Sequence, residues 1–528
     1  MRELRGMLLT LCMAGMPALS PPPAAAAAGD LDPTFGIAGQ VTTDFVGTED
    51  QAGGMAVQAD GKIVLAGSTL VPNGFGAKDF ALARYTAAGA LDATFGNGGR
   101  VTTHWPQSFY SVARSIKLQS DGKIVVAGYT DSGLTPPGGM NQQFAVARYL
   151  ADGSVDTSFG SNGIVVTDFG EYYDLALALA IQPDGKIVAG GANWLGSGYL
   201  DPANFALARY NGDGSLDATF GDGGKVVTSL NGEADIIFGL ALDAQNRIVT
   251  GGFVFGNSLG GISAGLARYL PDGTLDSTFG DGGTVITDFA DAGFRSDEVA
   301  AIAMQPDGKI VTAGRSQSSS APDGLFVTRY DADGTLDDTF GEGGWVNILI
   351  GGFDTEGYAV AVDKKGSIVV GGQTGALGFA TITGMAFSLD TSSTVSSFAL
   401  VRLLSDGSPD ASFGDAGIVT TRFANDEGYS DAIGTIDPNA HGILVAGLAR
   451  SSNHDMSTFT SNADFALARY DDGYPIFADG FDPSANPGKP LKHHPLPKQH
   501  GRITAQARAH FDLRVITCAL LCRLRDAL

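Results

Sequence analysis

A block of about 60 residues recurs along this chain, and that period constrains the fold more than any other feature. In one copy Phe80-Ala81-Leu82-Ala83-Arg84-Tyr85 is followed by a Gly turn and Leu91-Asp92-Ala93-Thr94-Phe95-Gly96. Three boxes recur seven times each. The Leu-Asp-x-Thr-Phe-Gly box has its carboxylate at Asp32, Asp92, Asp156, Asp217, Asp276, Asp337 and Asp410. The Phe-Ala-Leu-Ala-Arg-Tyr box has its cation at Arg84, Arg148, Arg209, Arg268, Arg329, Arg402 and Arg469. The Asp-Gly-Lys-Ile-Val box is clear at Asp60, Asp121, Asp184 and Asp307, and degraded near Asn246, Gly366 and Gly442.

The boxes read as strands. Residues 63–66 and 124–127 are short apolar, β-branched runs bounded by Asp-Gly and Gly. Each unit offers about four strands with no helical spacer, the pattern of a β-propeller. The fold expected is all-β: a seven-bladed propeller of four-stranded blades. The chain begins with a Leu-Asp-x-Thr-Phe-Gly box and Val41-Thr42-Thr43, and its repeats end on Arg469-Tyr470. The N-terminal strand is therefore expected to complete the last blade, closing the ring and removing open edges.

Arg and Asp stand eight residues apart in the six continuous copies. A short hairpin loop such as Ala151-Asp152-Gly153 sets Arg148 opposite Asp156. The Arg shares a strand face with apolar residues, and a buried guanidinium needs a hydrogen-bonded carboxylate. Arg469, lacking a local partner, is expected to pair with Asp32. Seven such pairs are framework, since no reaction needs its catalytic group seven times.

These boxes resemble the delta-60 tandem repeats of bacterial proteins over residues 31–470. The resemblance implies a propeller and export, and brings no catalytic residues.

Residues 1–28 carry Arg2 and Arg5, an apolar stretch and an Ala-rich end, the pattern of a secretory signal. The propeller is expected over residues 29–472, a linker with a Phe-x-Asp-Gly-Phe-like segment over 473–488, and a basic tail, disordered or partly helical, over 489–528. The expected location is outside the cell, at its surface or in the periplasm.

Net charge is −24, although the segments before residue 30 and after residue 484 are both net basic. So acidic a body argues against nucleic acid as partner. No membrane span is expected, nor any oligomer. Cys12 lies in the signal and Cys518 and Cys522 in the tail, so the repeats use no disulfides.

With the strand before Asp-Gly-Lys innermost, one face carries uniform Asp-Gly turns and the other variable connections, the usual place for binding sites. The clearest insertions are residues 129–143, 192–204, 373–397 and 448–464. On that face stand Glu49, Asp50, Glu171, Asp174, Glu233, Asp235, Asp297, Glu298, Glu356, Glu427 and Asp431, expected to ring the channel mouth in acid. Such a rim suits a cation or cationic ligand; a solvated acidic surface is the plainer reading.

Chemical motifs fail on context. Gly261-Ile262-Ser263-Ala264-Gly265 fits a nucleophile elbow but runs straight into a strand. Asp331-Ala332-Asp333-Gly334 opens like a calcium loop and lacks the terminal Glu, so no cofactor is implied beyond a weak case for calcium. The repeats hold three scattered histidines, His104, His441 and His454, and no metal-site spacing. The reading is a non-enzymatic binding or structural module for a protein or glycan; the alternative is a hydrolase or lyase using carboxylates of the same face.

Overall fold

Asp-Gly pairs between β-branched runs turn the chain into hairpins. Gly61 adopts φ +78°, open to a residue without Cβ, while Asp60 accepts the Lys62 N–H at 3.2 Å. The strands on either side, Asp50–Val57 and Ile63–Leu70, then pair antiparallel. Lys78–Tyr85 and Arg100–Thr103 complete a four-stranded sheet, here sheet A.

The computed structural model describes residues 27–45, 49–71, 77–105, 108–135, 139–170, 172–196, 202–230, 234–255, 261–289, 294–318, 322–375, 382–383, 386–387, 396–423, 432–439, 442–450 and 463–473. Among them there is no helix, and so none long and apolar enough to cross a membrane. Residues 1–26 of the expected secretory signal, and the whole of the expected tail over 489–528, fall outside the described residues.

The arrangement of sheet A recurs. Sheet B contains Ser111–Leu118, Ile124–Thr135, Gly139–Tyr149 and Ile164–Thr167. Sheet C contains Tyr173–Ile181, Ile187–Trp194, Ala203–Tyr210 and Lys225–Thr228, and one parallel bridge, Tyr173 to Gln142, joins it to sheet B. Sheet D contains Asp235–Leu242, Ile248–Phe255, Ile262–Tyr269 and Thr284–Thr287. Sheet E contains Phe294–Met304, Ile310–Ser318, Gly324–Tyr330 and Trp345–Ile348. Sheet F contains Asp354–Val362, Ile368–Gly375, Ser396–Leu403 and Ile418–Thr421. Sheet G contains Ala432–Asn439, Gly442–Arg450 and Ala463–Tyr470, and its fourth strand is the N-terminal Gln40–Thr43, with Val41 opposite Leu467.

Much of the expected insertion 129–143 is strand rather than loop, because the second and third strands of sheet B extend into it.

Every first strand is bulged at the same place, at Gly53, Arg114, Leu177, Phe238, Ala300, Tyr358 and Gly434. The bulge brings a carbonyl close to the second strand. A Cβ on Gly67 would lie 1.9 Å from the Gln51 oxygen, and one on Gly372 would lie 1.8 Å from that of Glu356. The Gly that follows the Ile-Val run is therefore dictated by the bulge opposite it.

Apolar side chains fill the spaces between successive sheets. Phe80, Leu82, Val126 and Ala147 share a cluster between sheets A and B, and Val125, Phe144, Ala189 and Tyr210 share one between B and C. Ala52, Met55 and Leu65 of sheet A also cluster with Leu444, Ala446 and Phe465 of sheet G.

Hydroxyl pairs follow the same junctions. Tyr149 meets Thr103 at 2.8 Å, Tyr210 meets Thr167 at 2.7 Å and Tyr470 meets Thr421 at 2.8 Å. Tyr85 donates to Thr43 at 2.7 Å, linking sheets A and G. Sheets E and F replace both members at once, with Leu403 and Ile348 in one apolar cluster. Losing both polar partners together leaves no buried hydroxyl unpaired.

Each repeat Arg bonds its Asp through Nε. The distances are 2.9 Å for Arg84–Asp92, 2.8 Å for Arg148–Asp156, Arg209–Asp217, Arg268–Asp276 and Arg402–Asp410, and 2.6 Å for Arg329–Asp337. Arg469 bonds Asp32 at 2.8 Å. The same guanidinium also donates to a turn carbonyl of the following sheet, as Arg148 does to Gly212 at 2.5 Å and Arg469 to Ala87 at 2.7 Å. The third box joins in: Lys186 Nζ lies 2.9 Å from Asp217, and Lys309 Nζ 2.9 Å from Asp337. Local pairing within a repeat and clamping between repeats thus use one cation.

Candidate functional site

The first strands of all seven sheets contribute to one cavity of about 300 Å³. All seven bulge residues line it. A bulge frees one residue from the ladder, so its side chain can vary without disturbing the pairing. It does vary: Leu177, Phe238, Tyr358 and Arg114 are large, whereas Gly53, Gly434 and Ala300 are small. A framework that repeats around a position that does not is where an array of equal units becomes a specific site.

The carboxylates expected at an acidic rim are not one set. Asp50, Asp174, Asp235 and Asp297 are each at most 1% exposed. Their Oδ2 atoms accept the N–H of Phe45, Phe169 and Leu230 at 2.7 Å, and that of Phe289 at 3.3 Å. They tie the loop entering each sheet. Thr355 does the same in sheet F, accepting the Ile350 N–H at 3.1 Å. Burial pushes Asp50 and Asp174 up to about 6 and Asp297 up to about 7. Glu49 is ion-paired with Lys78 at 3.2 Å. Glu171, Glu233, Glu427 and Asp431 lie outside the described residues. At its buried positions the open rim is thus replaced by interior carboxylates serving the backbone.

Asp44 and Asp464 approach Asp50, with candidate ligand atoms within 4.8 Å of one another. The loop that Asp50 ties accounts for it, and the same position carries Asp in other sheets.

Glu298 and Glu356 behave differently, converging on a residue the sequence reading passed over. Arg315 Nη2 lies 2.8 Å from Glu298, and its Nη1 lies 3.1 Å from Glu356 and 3.8 Å from Asp323. Tyr358 Oη donates to Glu356 Oε2, and Gln373 Nε2 donates to Glu356 at 3.0 Å and to Tyr358 Oη at 2.9 Å. Burial pushes Glu298 up, against the pull of Arg315, and pushes Asp323 up to about 6. The corresponding junction nearer the start of the chain is apolar, with Leu175, Ala192, Ile236 and Phe253 in one cluster. The signal was present in sequence: the residue after the second-strand Gly is Ser68, Tyr129, Ala192, Phe253, Arg315, Gln373 and Leu448 in turn. Reading it as a site needs to know that neighbouring first strands face that position.

Tyr358 belongs to both features, lining the cavity while its hydroxyl is held by the Glu356 network. Chemically the junction offers fixed donors and acceptors beside a chamber of mixed polarity. The serine of the elbow-like motif, Ser263, is buried within the strand Ile262–Tyr269, and His104 is paired with Asp79 at 2.9 Å on the outside.

Repeated four-stranded sheets around a shared cavity define a β-propeller-repeat protein. Residues 58–95, 119–159, 182–220, 246–279, 305–340 and 387–413 match the family described as "Domain of unknown function (DUF5122) beta-propeller". Among solved structures, a protein of unknown function from Dyadobacter fermentans is 11% identical, covering 83% of this chain and 100% of its own, with a TM-score of 0.41. A virginiamycin B lyase from Staphylococcus aureus is 9% identical over 81% of this chain and 98% of its own, with a TM-score of 0.41. A polysaccharide lyase, an ulvan lyase, is 11% identical over 84% and 95%, with a TM-score of 0.34. No curated protein matches the chain.

Proposed function

We propose that this chain is an exported, non-enzymatic binding module built as a seven-bladed β-propeller of the delta-60 type. In this reading sheets A to G are the blades, and Gln40–Thr43 closes the ring by completing the blade of sheet G. The Asp32–Arg469 pair, the Tyr85–Thr43 bond and the sheet A–G apolar cluster support closure. Residues 1–28 are a secretory signal, 29–472 the propeller, 473–488 a linker and 489–528 a tail; the module acts as a monomer.

The observation that carries the binding role is the cavity to which every first strand contributes its bulge residue, of widely varying size and chemistry. A purely structural ring has no use for that variation, whereas a ligand site does. Thermal-shift screening of the full chain against bacterial and plant glycans and divalent cations tests it. A saturable upward shift follows if a ligand binds the folded state; no shift with any member would move the reading to a structural role.

A second reading, an enzyme acting on an extracellular polymer, draws on Glu298 and Glu356 beside Tyr358 at the cavity wall. Two carboxylates in unequal surroundings are the equipment of acid–base cleavage. Release of new chain ends from a bound glycan, lost in Glu356→Gln with binding kept, would establish it over binding alone.

A further inference from the structure

The cavity has two unlike halves. Leu177, Leu179, Phe238, Leu240 and Ile302, from sheets C, D and E, give it an apolar arc. Sheets G, A and B also contribute Met55, Ile116 and Ile436, but only this arc adds the polar and charged Thr435, Gln51, Arg114, Ser115 and Lys117. Two cations therefore enter from one strand, Ser111–Leu118, into a chamber inside a strongly acidic protein.

Lys117 departs from its repeat. Aligned against the second strand, the equivalent residues are Ala56, Ala180, Ala241, Ala303 and Ala361, each facing a Val. The other departure is Asp437, which interacts with Lys117 through charge alone; among the described residues Lys117 has no hydrogen-bond or ion-pair partner. Lys117 opens to solvent inside the cavity, where the surrounding protein pushes its ammonium down and Asp437 opposes. Arg114 is oriented by Tyr129, its Nη2 donating to the phenol at 3.3 Å with the guanidinium 5.7 Å from the ring centre. Beside Arg114 the neighbouring bulges are Gly53 and Gly434, which leave room between it and Tyr358. A Cβ on Gly434 would meet its nearest atom at 3.6 Å, so the recess is open there; one on Gly53 would sit 2.6 Å from the Ala113 oxygen.

Resting on the binding reading above, we infer that this cavity takes a small organic anion, its carboxylate or equivalent head toward Arg114 and Lys117 and its apolar body along Leu177 and Phe238. Lys117 is solvent-accessible and Arg114 half-buried, so both can offer charge-assisted donors to an anion's head, and the opposite wall rewards an apolar body. A volume of about 300 Å³ lies at the small end of ligand sites.

Calorimetric titration of the full chain with three matched probes tests this: 3-phenylpropionate, 3-phenylpropanol and 3-phenylpropylamine. Only the anion is expected to bind. Arg114→Leu and Lys117→Ala, each installing a residue another repeat carries at that position, should weaken it about tenfold or more, and Gly434→Leu should abolish it by filling the recess. Melting curves check that each variant folds. If the alcohol binds as well as the anion and Gly434→Leu removes both, the cavity is a site and the anion assignment falls. If the amine is preferred, the assignment falls likewise. If no probe binds, or Gly434→Leu leaves affinity unchanged, the cavity does not take this ligand class. A saturable glycan shift alongside that failure would leave the binding-module reading standing, and no shift at all would remove both.

Discussion

Arg469 Nε donates to Asp32 Oδ2 at 2.8 Å across 437 residues of chain. Six other copies of this pair join residues eight apart, so the long-range copy reproduces a local geometry with the two ends of the repeat array. Breaking a buried ion pair from one side typically costs about 3–5 kcal/mol. Asp217 is 6% exposed and also meets Lys186, whereas Asp32 is 18% exposed. Asp217→Ala should therefore cost several kcal/mol in urea unfolding and Asp32→Ala less, near 2 kcal/mol after solvent screening. Removal of residues 30–45 should expose the Ala463–Tyr470 edge and promote aggregation; equal solubility and stability without them would overturn closure by that strand.

The paired exchange of Leu403 and Ile348 for the Tyr and Thr of other junctions gives a clean coupling test. Leu403→Tyr alone buries a hydroxyl without a Thr, costing about 1–3 kcal/mol. Adding Ile348→Thr supplies the acceptor and should recover about 1 kcal/mol or more in a double-mutant cycle. Strict additivity would show that the two residues do not face each other.

Gly372 and Gly434 differ in what surrounds them. Gly372→Ala sets a Cβ 1.8 Å from the Glu356 carbonyl and should destabilise by at least about 3 kcal/mol, since the bulge itself must shift. Gly434→Ala meets nothing closer than 3.6 Å and should change the melting midpoint little. Equal tolerance at both positions would contradict the bulge geometry.

Opposed carboxylate shifts set the pH profile. Burial would raise Asp156, but the Ser158 hydroxyl and N–H together with Arg148 outweigh it and carry it down to about 2. That contribution is present above the unfolded carboxylate range, near 4, and is lost as pH falls toward 2. Asp174, pushed up to about 6 by burial, works the other way: its contribution is present below about 4 and is lost as pH rises through 6. Asp297 extends the loss toward 7. The melting midpoint should peak at about pH 4–5 and decline toward pH 8, and Asp174→Asn should flatten that decline. A midpoint rising from pH 5 to pH 8 would refute the assignment.

Strand order, turn chemistry and the Arg–Asp pairing were legible in the sequence because each is local. Asp-Gly sets a turn, β-branched runs set strands, and eight residues bring Arg148 back opposite Asp156 whatever the remaining repeats do. The N-terminal strand of sheet G was legible for a related reason, since an unpaired box at each end of a repeat implies its partner. The carboxylates were not. A run such as Asp297-Glu298 contains one side chain that ties a loop N–H and one that meets Arg315, and only the alternation of faces at a packed junction separates them. Nor does the sequence disclose the bulge that sends Arg114, Phe238 and Tyr358 into a common cavity from strands scores of residues apart. The repeat determined the unit and its pairing; the cavity arises where units meet, and its chemistry depends on that tertiary packing.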